Sequence, residues 1–87
     1  MYIAEALDKI KEDNPQLDTQ ASLAEYIGIS SPMISTYKTG ESNPNILNAS
    51  KIWEYFGIQV EPFTELSLQA EVERRLRVKG MLNDKAK

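Results

Sequence analysis

Two glycines set twelve residues apart, Gly28 and Gly40, each follow a short run of residues with helical apolar spacing. Glycine is favoured just past a helix end because that position often requires a left-handed backbone, which other side chains resist. Helices that end at such short intervals are themselves short. Two of them joined by a turn of three or four residues must cross at a steep angle.

The segments before Gly28 predict two helices separated by a proline. The first has apolar residues at spacings of four and three on one face: Ile3, Leu7 and Ile10. It ends before Pro15, because a residue that precedes proline avoids the helical region. Either Asp18 or Thr19 can cap the second helix, whose inward-facing residues are Leu23, Ala24 and Ile27.

Three more helices follow on the same reasoning. Ser30 is a good N-cap for the third, and Pro32 lies in its first turn, where a missing N–H costs nothing. Asn45 can cap a fourth helix that ends at Gly57 and carries Ala49, Ile52, Trp53 and Phe56. The last helix, from about residue 65 to 79, carries an apolar stripe of Leu68, Val72 and Leu76. The chain is therefore predicted to be all-α, a compact domain of four to five helices.

Composition excludes most catalytic and metal chemistry. The 87 residues include no Cys and no His, which removes thiol nucleophiles, imidazole bases and zinc sites built on thiolate or imidazole. No apolar run approaches the roughly 18 residues of a membrane span, and residues 1–13 lack the pattern of a signal peptide. We expect a cytoplasmic protein that is not an enzyme, with no metal, no cofactor, no small-molecule ligand and no membrane contact.

The segment from residue 19 to 58 carries the most specific pattern. The residues that make up this pattern are Leu23, Ala24, Ile27, Gly28, Ile29, Ile34, Tyr37 and Gly40. Ala24 is small where the third helix crosses, while Ile34 and Tyr37 pack that helix back onto the second. These residues in this register resemble the helix-turn-helix of the Cro/repressor (XRE-like) family of DNA-binding regulators. The resemblance weakens across the first helix and the tail.

The resemblance implies that the third helix enters the major groove of double-stranded DNA while the second crosses the backbone. The residues implied to face bases are Ser31, Pro32, Ser35 and Thr36. Those implied to contact phosphates are Gln20, Lys38, Thr39, Asn43 and Asn45. Gln20 could instead brace the third helix, and Thr36 could contact a thymine methyl group. Because the third helix has no Arg, Asn or Gln, specificity would depend on hydroxyls, apolar contacts, water and DNA shape.

The C-terminal helix leaves two alternatives open. We divide the chain into a helix-turn-helix domain, residues 1–60, and a helical extension with a polar tail, residues 61–87. The stripe of Leu68, Val72 and Leu76 could pack on its own domain or against the same helix of a second copy. We favour a homodimer with this helix as its interface, since one small domain reads only about half of an operator.

Two functions are compatible with these features. The first is a sequence-specific transcriptional regulator, a small repressor of the phage or prophage type that acts by operator occupancy. The alternative is an antitoxin-like or other protein-interaction module whose C-terminal helix binds a partner protein. A Ser- and Thr-rich helix face taken alone would equally fit an ordinary solvated surface, and it is the register with Gly28 and Gly40 that favours DNA.

The charge distribution bears on the first function. The formal net charge is −3, but it is uneven: residues 1–65 carry −6 and residues 66–87 carry +3. Between Ser30 and Thr39 the only charged residue is Lys38, so phosphates would not repel the proposed reading face. We therefore expect weak non-specific DNA binding and a marked dependence of affinity on dimerisation.

Overall fold

The structure, a computed structural model, describes residues 1–86 and the side chains of residues 1–80. Within these residues the helices are α1 (Ile3–Asp13), α2 (Gln20–Ile27), α3 (Ser31–Thr39), α4 (Ile46–Phe56) and α5 (Glu65–Ala86). A single 3-10 turn, Pro15–Leu17, joins α1 to α2 and was not predicted. The described residues form no strand, and none of their helices is long and apolar enough to cross a membrane. The predicted all-α fold of four to five helices is confirmed.

The helix ends are held by the residues that the sequence indicates. The N-caps of α2, α3 and α4 are Thr19, Ser30 and Asn45, and each side chain accepts the backbone N–H three residues on. Glycines end the same three helices in the left-handed region, with φ of 72°, 80° and 68°. At Gly28 the free carbonyl oxygen also accepts a hydrogen bond of 2.8 Å from Lys51 Nζ. α2 is thus held at its start by Thr19 and at its end both by the left-handed Gly28 and by this tertiary bond from α4.

One hydrophobic core collects side chains from every α-helix. Among its members, Ile10, Ile34, Ile52 and Leu68 are at most 1% exposed. Tyr37 is also buried, and its hydroxyl accepts a hydrogen bond of 2.9 Å from Asn48 Nδ2 on α4. Trp53 and Phe56 lie partly buried at the edge of the core. The segment before α5 contributes Val60, which is fully buried.

α5 packs on α4 and is longer than predicted. Besides Leu68 in the core, Gln69 Oε1 accepts a hydrogen bond of 3.2 Å from Trp53 Nε1, and Arg75 Nη2 lies 3.0 Å from Glu54 Oε2. The helix continues past residue 79 to Ala86 because Gly80 keeps a helical backbone instead of ending it. The side chains of the polar tail lie outside the described residues.

Burial divides the three residues predicted for the dimer interface. Leu68 is 0% exposed and Val72 is 9% exposed, both within their own chain. Both side chains pack within their own chain, and their predicted part in a dimer interface stays a prediction. Leu76 is 54% exposed because α5 continues beyond the body it packs on. Of the three, only Leu76 is accessible to another molecule.

Candidate nucleic-acid interface

α3 turns one face into the core and presents the other to solvent. Ile34 and Tyr37 are 0% and 2% exposed. On the opposite side Pro32, Ser35 and Thr39 are exposed. Ser31 and Thr36, the other two residues predicted to face bases, are half-buried and therefore less accessible than these three. The structure thus brings the four predicted base-facing residues onto one helix but makes them unequally accessible.

Gln20 holds the start of α3 against the start of α2. Its Nε2 donates to the carbonyl oxygen of Ser31 at 2.7 Å and to Ser31 Oγ at 3.0 Å. Of the two roles open to Gln20, bracing is therefore observed. Both bonds leave from Nε2, so the amide nitrogen is engaged by Ser31 while Oε1 has no hydrogen bond among the described residues. The bonds join the starts of the two helices, and Ser31 Oγ serves as the acceptor of one of them.

Thr36 is bound to the turn that follows α3. Its hydroxyl donates to the carbonyl oxygen of Met33 at 2.8 Å and lies 2.7 Å from Ser42 Oγ. In return, the backbone N–H of Glu41 donates to the Thr36 carbonyl oxygen at 3.0 Å. The Thr36 hydroxyl therefore belongs to the structure of the α3–α4 connection, and it is not free to hydrogen-bond a base.

The residues predicted to contact phosphates separate in the same way. Lys38, Thr39 and Asn43 are exposed. Asn45 is also exposed, but its Oδ1 accepts the backbone N–H of Asn48 at 2.9 Å as the cap of α4. Gln20 is the brace described above. Of the five residues predicted to contact phosphates, Lys38, Thr39 and Asn43 therefore have exposed side chains that neither cap nor brace the start of a helix.

Lys38 lies in a region of mixed charge. It lines a small cavity of about 70 Å³ between α1, α2 and α3, together with Lys11, Asp8 and Asp18. Two lysines facing two aspartates make the cavity electrically balanced. The positive potential around Lys38 is correspondingly weaker than that of an isolated lysine.

Sequence reasoning missed Met33. This side chain is 40% exposed on α3, and its Sδ lies 3.7 Å from Thr36 Oγ1. Sequence reasoning assigned Met33 neither to the core nor to the exposed face of α3. Helical spacing could have identified Met33, because it lies three residues before Thr36 and therefore on the same face of α3.

The basic residues of α5 are partly paired with acids. Arg74 makes two hydrogen bonds to the Glu71 carboxylate, of 2.9 and 2.6 Å, and this bonding lowers the pKa of Glu71. Arg75 pairs with Glu54 across the α4–α5 contact. Arg77 and Lys79 are exposed further along the helix.

Comparison with known proteins places the chain in a family. The profile of the helix-turn-helix family matches residues 14–63, which is more than half of the chain. The chain belongs to the Cro/repressor-like (XRE) helix-turn-helix family. Neither the search of curated proteins nor that of solved structures finds a match. Within this helix-turn-helix protein, the match takes in the whole of α2, α3 and α4 and leaves α1 and α5 outside.

Membership of this family indicates the general function of the helix-turn-helix. The family is one of DNA-binding regulators, so α2 and α3 are the pair of helices that gives it its name. The helix-turn-helix here has its turn built by Gly28 and Ile29, with Ile29 only 4% exposed. The exposed face of α3 is therefore the candidate surface for DNA.

Proposed function

We propose that this helix-turn-helix protein is a sequence-specific transcriptional regulator, a small cytoplasmic repressor of the phage or prophage type. It would act by occupying an operator, with α3 in the major groove and α2 across the backbone. The observation that carries the proposal is the outer face of α3, which is exposed, free of acidic residues and held at a fixed angle by the bonds between Gln20 and Ser31. A rigid helix of this kind can dock without a large ordering cost.

The proposed contacts are those of the predicted residues, weighted by their accessibility. Bases would be faced by Ser31, Pro32, Ser35 and Thr36, and phosphates by Lys38, Thr39, Asn43 and Asn45, while Gln20 takes the bracing role. Ser35 is the exposed hydroxyl in the middle of α3 and the strongest candidate for a direct base hydrogen bond. Lys38 is the strongest candidate for a phosphate contact because it is exposed and cationic.

The proposal includes a homodimer. One α3 reads only a half-site, and two-fold symmetric proteins of this class place two such helices about 34 Å apart on DNA. Leu76, which is 54% exposed on the distal part of α5, supports a contact between copies there, and Val78, 45% exposed, is a second exposed apolar residue on the other side of the helix.

A protein-interaction module, such as an antitoxin, is the second candidate. The same exposed apolar residues on α5 favour it, together with Leu66, which is 83% exposed at the start of that helix. Under this proposal α5 would bind a different protein and DNA binding would be secondary. The two candidates differ in whether the isolated protein recognises a defined DNA sequence.

Selection from a pool of random duplex DNA separates them. The regulator predicts enrichment of one sequence made of two inverted half-sites, whose centres are about one helical turn apart. Repeated selection that yields no enriched sequence would reject the regulator and leave the interaction module. Enrichment of a single, unrepeated half-site would retain the regulator and reject the symmetric dimer.

A further inference from the structure

The outer face of α3 is less polar than its sequence indicates. Three of its residues carry hydroxyl groups near the base-reading positions, yet Ser31 is engaged by Gln20 and Thr36 is engaged by Met33 and Ser42. Gln20, whose amide lies at the start of α3, is bonded through Nε2 to the Ser31 carbonyl oxygen and hydroxyl. Four residues were predicted to face bases, and three of them carry a hydroxyl group. Among the described side chains, Ser35 has the one hydroxyl of these three that makes no such bond.

Apolar groups adjoin one another on part of that face. Pro32 and Thr36 are four residues apart and Met33 and Thr36 three apart, so the three side chains adjoin on the helix surface. Met33 is 40% exposed and its sulfur lies beside Thr36 Oγ1. With its hydroxyl committed elsewhere, Thr36 has its methyl group left to offer a ligand. We call these three residues the apolar patch of α3.

In the major groove, the apolar feature of a base pair is the 5-methyl group of thymine. From the apolar patch we infer that α3 recognises its site by contacts to thymine methyl groups, with Met33 as a specificity-determining residue. Methionine suits this role because its flexible, polarisable side chain adapts to small apolar groups. The inference rests on the proposed function and names the chemistry by which that function selects its DNA.

Replacing thymine by deoxyuridine tests the inference, because it removes the methyl group and leaves the pairing unchanged. The probe is the sequence enriched from the random pool, with each thymine replaced in turn. We expect the full chain to lose about fourfold in affinity for each contacted methyl, the value for burying one such group. Positions outside the contact with α3 should be unaffected.

Matched variants connect the effect to the patch. Met33→Ala should bind the thymine and uracil forms equally at the position that it contacts, while Met33→Leu keeps the preference. Thr36→Ser removes only the methyl group and retains the hydroxyl bonded to Ser42, so it should abolish the preference at a second position. Leu66→Ala, which removes an equally apolar exposed side chain from α5, should retain every preference.

The failures of the inference and of the proposed function are distinguishable. A defined sequence that tolerates uracil at every position would retain the regulator and overturn thymine-methyl recognition. Sensitivity to uracil that persists unchanged in Met33→Ala and Thr36→Ser would overturn the assignment to the apolar patch. If no sequence is enriched at all, both the regulator and the inference fail. Melting curves establish that each variant is folded before its binding is compared.

Discussion

Ser35 and Thr36 are neighbours on α3 with the same functional group but different surroundings. The Ser35 side chain is exposed, whereas the Thr36 hydroxyl joins Met33 to Ser42 and so fixes the connection to α4. Sequence reasoning placed both on the reading face because helical spacing does not report where a hydroxyl finds its partner. The two residues should therefore respond differently to the same substitution.

Ser35→Ala should weaken binding to the selected DNA by about 1 kcal/mol, roughly fivefold, and should not lower the melting temperature, since alanine is the better helix former. Thr36→Ala should lower the free energy of unfolding by a similar amount, which corresponds to a melting temperature lower by about 4–8 °C. Thr36→Ser is the control and should melt like the unmodified chain. A fall in melting temperature for Ser35→Ala with unaltered affinity would show that the exposed face has been assigned wrongly.

Gly28 and Gly80 form a second contrast at the residue scale. Gly28 has φ of 72° at the end of α2, while Gly80 lies inside α5 with no left-handed backbone. A Cβ at Gly28 would lie 3.8 Å from Lys51 Nζ, an ordinary contact, so the cost of a side chain there is conformational rather than steric. Gly28→Ala should destabilise the fold by about 1–2 kcal/mol.

Gly80→Ala should instead raise the free energy of unfolding. Alanine is favoured over glycine in a helix by about 0.5–1 kcal/mol, and a Cβ at Gly80 meets no atom within 4 Å. Urea denaturation of both variants gives the two free energies of unfolding. Equal effects of the same sign would contradict the assignment of Gly28 as a left-handed helix end.

At the scale of elements, α5 is both a part of the core and a projecting arm. Leu68 is fully buried against the body formed by the other helices, and Leu76 lies two turns further along and is mostly exposed. Removal of the whole helix after Phe63 would therefore strip the core and unfold the chain. Point substitutions at the two leucines separate the structural role from the association that we propose.

Leu68→Ala should cost about 2–5 kcal/mol of unfolding free energy, as for other buried leucines. Leu76→Ala should change the stability of the monomer by less than about 0.5 kcal/mol but shift the molecular mass towards that of one chain. Thermal unfolding at low protein concentration and light scattering at high concentration measure the two effects. A mass of two chains that persists in Leu76→Ala would remove the distal part of α5 from the dimer interface.

The elements were predictable from sequence to different extents. Helices α2, α3 and α4 are confirmed with their caps, because capping residues and left-handed glycines act locally and can be identified from the chain alone. The 3-10 turn after Pro15 and the true end of α5 were missed, since both depend on weak local preferences. The bonds from Gln20 to Ser31 and from Thr36 to Ser42 join separate segments, so their existence depends on tertiary geometry that periodicity does not encode.

At the scale of the whole molecule, an acidic body presents a nearly neutral reading face. Residues 1–65 carry a net charge of −6, while the exposed outer side of α3 has Lys38 as its only charge. Lys38 itself lines a cavity with Lys11 and two aspartates. Few phosphate contacts are therefore available per chain, and affinity for DNA must come largely from sequence-dependent contacts and from the second copy.

The salt dependence of binding to the selected DNA tests the central claim, that α3 and its flanking residues form a DNA-reading surface. We predict clear binding at about 50 mM salt and a linear fall in log affinity with log salt, with a shallow slope of about −0.9 per phosphate contacted. Lys38→Gln should reduce that slope by about one for each chain bound, while the selected sequence remains the preferred one. Undetectable binding at about 50 mM salt, where phosphate contacts are strongest, would contradict the claim.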